Sequence, residues 1–122
     1  MKTIFKNDKV KEQYCDAYSS KWTKYSPKEK ESLAALNNIV SQAQSLQDLR
    51  CYPPLHLEKI TGKIKKRKKA TGEWSIRIVG TKYRVIFIPC DDQEQELVGG
   101  DILAIATSIK IIKITEVSSH YE

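Results

Sequence analysis

A chain of 122 residues, 40% apolar and 30% charged, has the make-up of one soluble globular domain, spanning residues 1–122, with room for a single core. Its apolar stretches are short and interrupted by Lys, Thr or Ser, so no membrane span is expected. The opening MKTIFKNDKV lacks an apolar h-region, so the expected location is the cytoplasm. Cys15, Cys51 and Cys90 are odd in number, widely spaced and without paired histidines. They read as reduced structural thiols rather than a disulfide framework or a zinc site.

The net charge of +6 is unevenly placed. Between His56 and Arg84 stand ten Lys or Arg against two acids, whereas Val85 to Ala106 carries five acids and no base. A segregated positive block points to a polyanionic partner, and a solvated surface is the bland alternative.

In chain order, KTIFK reads as a short opening strand. Asn7 then caps a helix carrying Val10, Tyr14, Tyr18 and Trp22 at i+4 spacing. Ser26, Pro27 and Glu29 form a capping box with proline at the first helical position. The stripe Leu33, Leu36, Val40, Ala43, Leu46 carries that second helix to about Leu46, and Pro53-Pro54 forbids continuation. The period then drops to two. Leu55 and Leu57 alternate with His56 and Glu58 in a short strand. WSIRIVGTKYRVIFIP is a hairpin turning at Gly80, with Trp74, Ile76 and Ile78 on one face and Tyr83, Val85 and Phe87 answering across it. CDDQEQELVGG is an acidic loop, DILAIATS is ambiguous between helical turn and strand, and IKIIKITEV is a β-branched strand. The order β-α-α-β-β-β-β predicts a small α+β fold: a twisted, mostly antiparallel sheet with a two-helix hairpin on one face.

GKIKKRKK lies between two strands of this sheet, so it is a loop tethered at both ends rather than a tail or an import address. Lys63, Lys65, Lys66, Arg67, Lys68 and Lys69 in it, with Arg77 and Lys82 in the hairpin, are candidate phosphate contacts. If Ile76, Ile78, Val85 and Phe87 face the helices, alternation turns Arg77 and Arg84 to the opposite, uncovered face. Arg84, mid-strand among apolar residues, is either a desolvated cation poised for phosphate or an ion-pair partner of Glu58 or Glu116. The chain has two histidines, His56 and His120. Metal-independent RNA cleavage by 2′-hydroxyl attack needs a base, a cation for the phosphorane and an acid for the leaving oxygen. His56, Lys59, Arg84, His120 and Tyr121 contain all three.

These residues also carry a family resemblance. LHLEKITGK, WSIRI, YRVIFIP and the terminal SSHYE resemble the HigB/RelE toxins of bacterial type II toxin–antitoxin modules over residues 55–121. The leading strand and helical hairpin fit that family's topology. The resemblance implies cleavage of mRNA on the ribosome, without cofactor, silenced by a cognate antitoxin. It implies His56 as base, Lys59 as the basic residue of H-x-x-K, Arg84 on the scissile phosphate, and His120 with Tyr121 as the C-terminal catalytic pair. The chain departs from the pattern in a longer KIKKRKKATG loop and in the insert from Asp91 to about Ala106. A spacing of three also puts His56 and Lys59 on opposite faces of a regular strand, so the strand must end or bend near Glu58 for both to act. A gyrase-poisoning toxin of the ParE type shares the expected fold, and a non-catalytic RNA-binding protein would use the positive block alone.

Overall fold

A computed structural model describes residues 1–15, 25–60 and 72–118. Five strands form one sheet: β1 (Lys2–Phe5), β2 (Glu58–Lys59), β3 (Trp74–Arg77), β4 (Arg84–Cys90) and β5 (Ile111–Ser118). Their order is β1-β5-β4-β3-β2. Only β1 and β5 run parallel; the other neighbours are antiparallel. Three α-helices, α1 (Asp8–Cys15), α2 (Pro27–Gln42) and α3 (Leu46–Arg50), and two 3₁₀ segments complete the described chain. No described helix is long and apolar enough to cross a membrane.

Local chemistry fixes the helix starts. The Asn7 side chain accepts from the Val10 N–H at 3.0 Å, so α1 begins there. Tyr18 and Trp22, expected further along the same helix, lie outside the described residues. At α2 the capping box is complete: Ser26 Oγ accepts from Glu29 N at 3.1 Å and Glu29 Oε1 accepts from Ser26 N at 2.7 Å.

The second helix stops sooner than its apolar stripe predicts. α2 ends at Gln42, Ala43 is already extended, and Leu46 opens α3 instead. The Asp48 carboxylate accepts from Gln44 N at 2.8 Å and Ile109 O accepts from Leu46 N at 2.8 Å. Those bonds give the backbone a better outlet than another helical turn. Leu46 nonetheless stays in the core, so the stripe identified its burial correctly but not its element.

Val10, Tyr14, Leu33, Leu36 and Val40 of α1 and α2 pack with Trp74, Ile76, Val85, Phe87, Ile112 and Ile114 of the sheet in one apolar cluster. The two helices therefore cover one face, as the alternation predicts. In the β3–β4 hairpin, Thr81 N donates to Ile78 O at 3.1 Å and Gly80 takes φ 81, the positive value that a type II turn requires at its third residue.

The second face is not bare. All seven residues of β4 are buried, and Ser75, Ile86 and Ile88 are buried outside the helix-side cluster. A central strand with a continuous apolar run is buried on both faces, which overrides the expectation of an uncovered face. At its Cys90 end the acidic loop folds back: Glu96 bridges to Cys90 and Leu97 N donates to Pro89 O at 2.8 Å. Gly72 permits this, because a Cβ there would stand 3.0 Å from Leu97 O. Glu94 and Glu96 pair with Lys2 and Lys113, so part of the acidic block is spent on cations of β1 and β5. The ambiguous 101–108 stretch resolves as 3₁₀ turns with a kink at Ile105, started by Asp101 Oδ1 accepting from Ala104 N.

Candidate active site

His56 is not in a strand. Pro53–Leu55 forms a 3₁₀ turn whose Pro53 carbonyl accepts from His56 N at 3.0 Å, and His56 takes the left-handed conformation, φ 48. Such a conformation is uncommon for a residue with a Cβ, and here it closes the 3₁₀ turn that the two prolines open. β2 is consequently two residues long and begins at Glu58. The bend that His56 and Lys59 would need to act together thus falls before Glu58, but it serves Glu58 rather than Lys59.

Register then decides which side chains meet. Glu58 pairs with Ser75, Arg77 with Arg84, and Arg84 with Ser118, so all five are on the face away from the helices. Lys59 pairs with Trp74 and turns the other way. It lines a groove of about 370 Å³ with Leu57, Asp101 and Ile102 at the sheet edge. His56 and Arg84 are thus brought to one face, while Lys59 is separated from them by the thickness of the sheet.

A β-bulge completes the arrangement. Ile86 pairs with Glu116 but Phe87 with Ile114, so Thr115 is the extra residue of β5, and its hydroxyl donates to Ile86 O at 3.2 Å. The bulge lets Ile112, Ile114 and Val117 all join the core cluster while Glu116 and Ser118 face Arg84's side. The apolar spacing I-x-I-x-x-V in IIKITEV is the sequence signal for this shift, and plain alternation misses it.

The Arg84 side chain is only 11% exposed. Its Nη1 donates to Ser75 Oγ at 3.0 Å and lies 3.2 Å from Glu58 Oε1. The other oxygen of Glu58 lies 3.3 Å from His56 Nε2. One carboxylate therefore spans a buried guanidinium and an imidazole whose side chain is 55% exposed. A desolvated cation requires such a counter-charge, so the ion-pair expectation for Arg84 is met through Glu58. Pairing does not exclude phosphate contact, since the guanidinium fork accepts either anion. A carboxylate oxygen near Nε2 favours the proton on that nitrogen and leaves Nδ1 as the basic atom of a neutral imidazole. Ser75 and Ser118 are the members of this cluster that the sequence does not single out, and Glu58 enters there only as a possible counter-charge for Arg84.

Arg77, exposed, faces Arg84 directly across the hairpin. Lys82 is exposed in the turn between them, with Nζ 5.9 Å from the Tyr83 ring centre. Lys63, Lys65, Lys66, Arg67, Lys68 and Lys69 lie outside the described residues, as do His120 and Tyr121. The described chain ends at Ser118, Arg84's cross-strand partner, two residues before His120.

Among the described residues no cluster of three His, Cys, Asp or Glu is arranged to hold a metal. Cys15, Cys51 and Cys90 form no disulfide, and only Cys90 is buried, so Cys15 and Cys51 are surface groups rather than structural ones. Burial pushes the Cys90 thiol upward, with Glu96 adding to the effect and Lys113 opposing it.

No curated protein and no solved structure matches the chain significantly. A family match covers residues 3–99, from β1 through the hairpin and the acidic loop, and stops before β5 and the terminal His120-Tyr121 pair. A type II toxin acts opposite an antitoxin, and that partner comes with the assignment. With most of the chain matched and the α+β topology in place, the protein belongs to the HigB-like family, the RelE-like toxins of type II toxin–antitoxin systems.

Proposed function

We propose that this toxin cleaves mRNA on the ribosome. The observation that carries the reading is the Arg77–Arg84 cross-strand pair beside the His56–Glu58 couple. Like charges directly opposite each other cost a sheet roughly 0.2–1 kcal/mol. Such a cost is offset when a polyanion binds across both, and a phosphodiester suits two adjacent guanidinium groups.

In the proposed step His56 takes the proton of the 2′-hydroxyl, and the freed oxygen attacks phosphorus. Arg84 neutralises the charge that builds on the phosphorane oxygens, and Arg77 holds the neighbouring phosphate. The bond to the 5′-oxygen breaks, an acid from the His120-Tyr121 pair protonates it, and a 2′,3′-cyclic phosphate remains. Lys59, on the other side of β2, supports binding at the sheet edge rather than the reacting phosphate. The basic 62–69 run, with Lys82, adds sequence-independent grip on ribosomal or messenger phosphates.

Inducing the chain in a bacterium and mapping the 5′ ends of cellular mRNA tests the proposal. In-frame cuts within translated regions are the expected result. Intact mRNA with gyrase-dependent DNA breaks would overturn it in favour of a ParE-type action.

A further inference from the structure

We infer that Glu58 is a positioning residue that occupies the phosphate seat on Arg84 in the free protein, yields it to the scissile phosphate and then orients His56 alone. The inference rests on the nuclease reading above. Its basis is the division of one carboxylate between a guanidinium and an imidazole, Oε1 at 3.2 Å from Arg84 Nη1 and Oε2 at 3.3 Å from His56 Nε2.

Three features make the exchange physically reasonable. A guanidinium that is 11% exposed needs an anion at all times, and carboxylate and phosphate satisfy the same donor fork. Ser75 Oγ, on fully buried Ser75, holds Nη1 independently at 3.0 Å, so Arg84 keeps an anchor when the carboxylate departs. Glu58 itself is 35% exposed on a two-residue edge strand, where a side chain can rotate into solvent without opening the core. The exposed imidazole gives the released carboxylate a place to stay. Two anions on one side of the guanidinium repel each other, so the carboxylate weakens phosphate binding in the ground state. Held on Nε2, it keeps Nδ1 as the base.

These two roles predict opposite effects on binding and chemistry when Glu58→Gln removes the charge. On programmed ribosomes KM should fall by roughly three- to fivefold, the scale of one partly exposed ion pair. kcat should fall at least about tenfold, because the base loses its orienting partner. A lesion that merely loosens the fold would raise KM and lower kcat. Inorganic phosphate, followed by the NMR signal of the Arg84 guanidinium, gives a readout free of cleavage, and the variant should bind it more tightly than wild type. If the variant fails to fold, wild type carries the test: phosphate that saturates Arg84 should shift the His56 imidazole signal over the same concentration range, and a stationary His56 signal would overturn the inference. Unchanged KM and kcat in Glu58→Gln, or a raised KM, would overturn it while leaving wild-type cleavage and the nuclease reading intact. A wild type that does not cleave, with a Gln variant that still binds phosphate more tightly, would overturn the nuclease reading and keep the Glu58 seat.

Discussion

Phe87 and Arg84 stand three residues apart on the same strand, and they serve opposite purposes. Phe87 sits on the helix side with Trp74 and Ile114 as cross-strand partners, a wholly apolar setting. Arg84 sits on the other side with Arg77 and Ser118 as partners and Glu58 and Ser75 on its guanidinium. One face is optimised for burial. The other keeps a desolvated charge, a like-charge pair and a left-handed histidine, each of which carries a cost in stability. Sites of this kind are where a fold departs from its own local rules.

The largest effect expected from breaking this contrast falls on the covered side. Phe87→Ala empties a site with no solvent access and should cost about 3–5 kcal/mol of stability. Activity per folded molecule should be retained. Urea titration with a cleavage assay at matched folded fraction checks both, and a specific loss of activity at full folding would blur the division between faces.

Arg84→Ala is the mirror experiment. Glu58, 35% exposed, can rehydrate when its partner is removed, so the fold should persist. Losing one electrostatic donor to the transition state typically costs about 100- to 1,000-fold in rate. Circular dichroism and growth arrest on induction check the two halves. A folded Arg84→Ala protein with full toxicity would remove Arg84 from the site.

How much of each face the sequence made legible follows from the same contrast. On the covered face the period-two pattern of Ile76, Val85 and Phe87 and the i+4 stripe of α2 were sufficient, because burial is a property of residue type and spacing. Helix starts were legible because Asn7, Ser26 and Glu29 act within one turn. Three things were not. α2 ends at Gln42 through bonds to Asp48 and to Ile109, the latter distant in sequence. β4 is covered on both faces because it is central, which depends on strand order. His56 leaves the strand because Pro53-Pro54 starts a 3₁₀ turn. On the second face, residue type picks out Arg84 and His56, but it offers Glu58 only as a neutralising partner and groups Lys59 with His56 and Arg84, from whose side of the sheet it turns away. Their separation depends on where β2 begins, a matter of one residue.

The basic run tests whether the charged side extends beyond the described sheet. Neutralising Lys65, Lys66, Lys68 and Lys69 to Gln should weaken ribosome binding and flatten its salt dependence. The log–log slope should fall by roughly 0.7–0.9 for each phosphate that the variant no longer neutralises. With saturating ribosomes the cut positions and rate should hold, since these residues do no chemistry in the proposed scheme. Identical binding and an identical slope would return the run to a solvated loop.

The smallest effect concerns a polar atom on the covered side. Tyr14 Oη is buried without a hydrogen-bond partner, as among the described residues only Trp74 Nε1 also is. The ring is well used, packed on Phe5 with centroids 5.9 Å apart. Phenylalanine keeps that ring and removes the unsatisfied hydroxyl, so Tyr14→Phe should be neutral or stabilising by about 1 kcal/mol at pH 7. The pH dependence has a definite sign. Burial, with a smaller push from Cys15, holds the Tyr14 hydroxyl well above the ordinary tyrosine value of 10.0. The unfolded chain therefore loses this proton first, and wild-type stability falls as pH climbs above 10.0. Tyr14→Phe lacks that linkage, so its advantage should widen by up to about 1.4 kcal/mol per pH unit there. Tyr83, also raised by burial and by Glu29, is present in both proteins and cancels in the difference. Urea denaturation at pH 7 and at pH 11 reads the change, and a gap that stays constant would mean that Tyr14 is solvated in the folded protein.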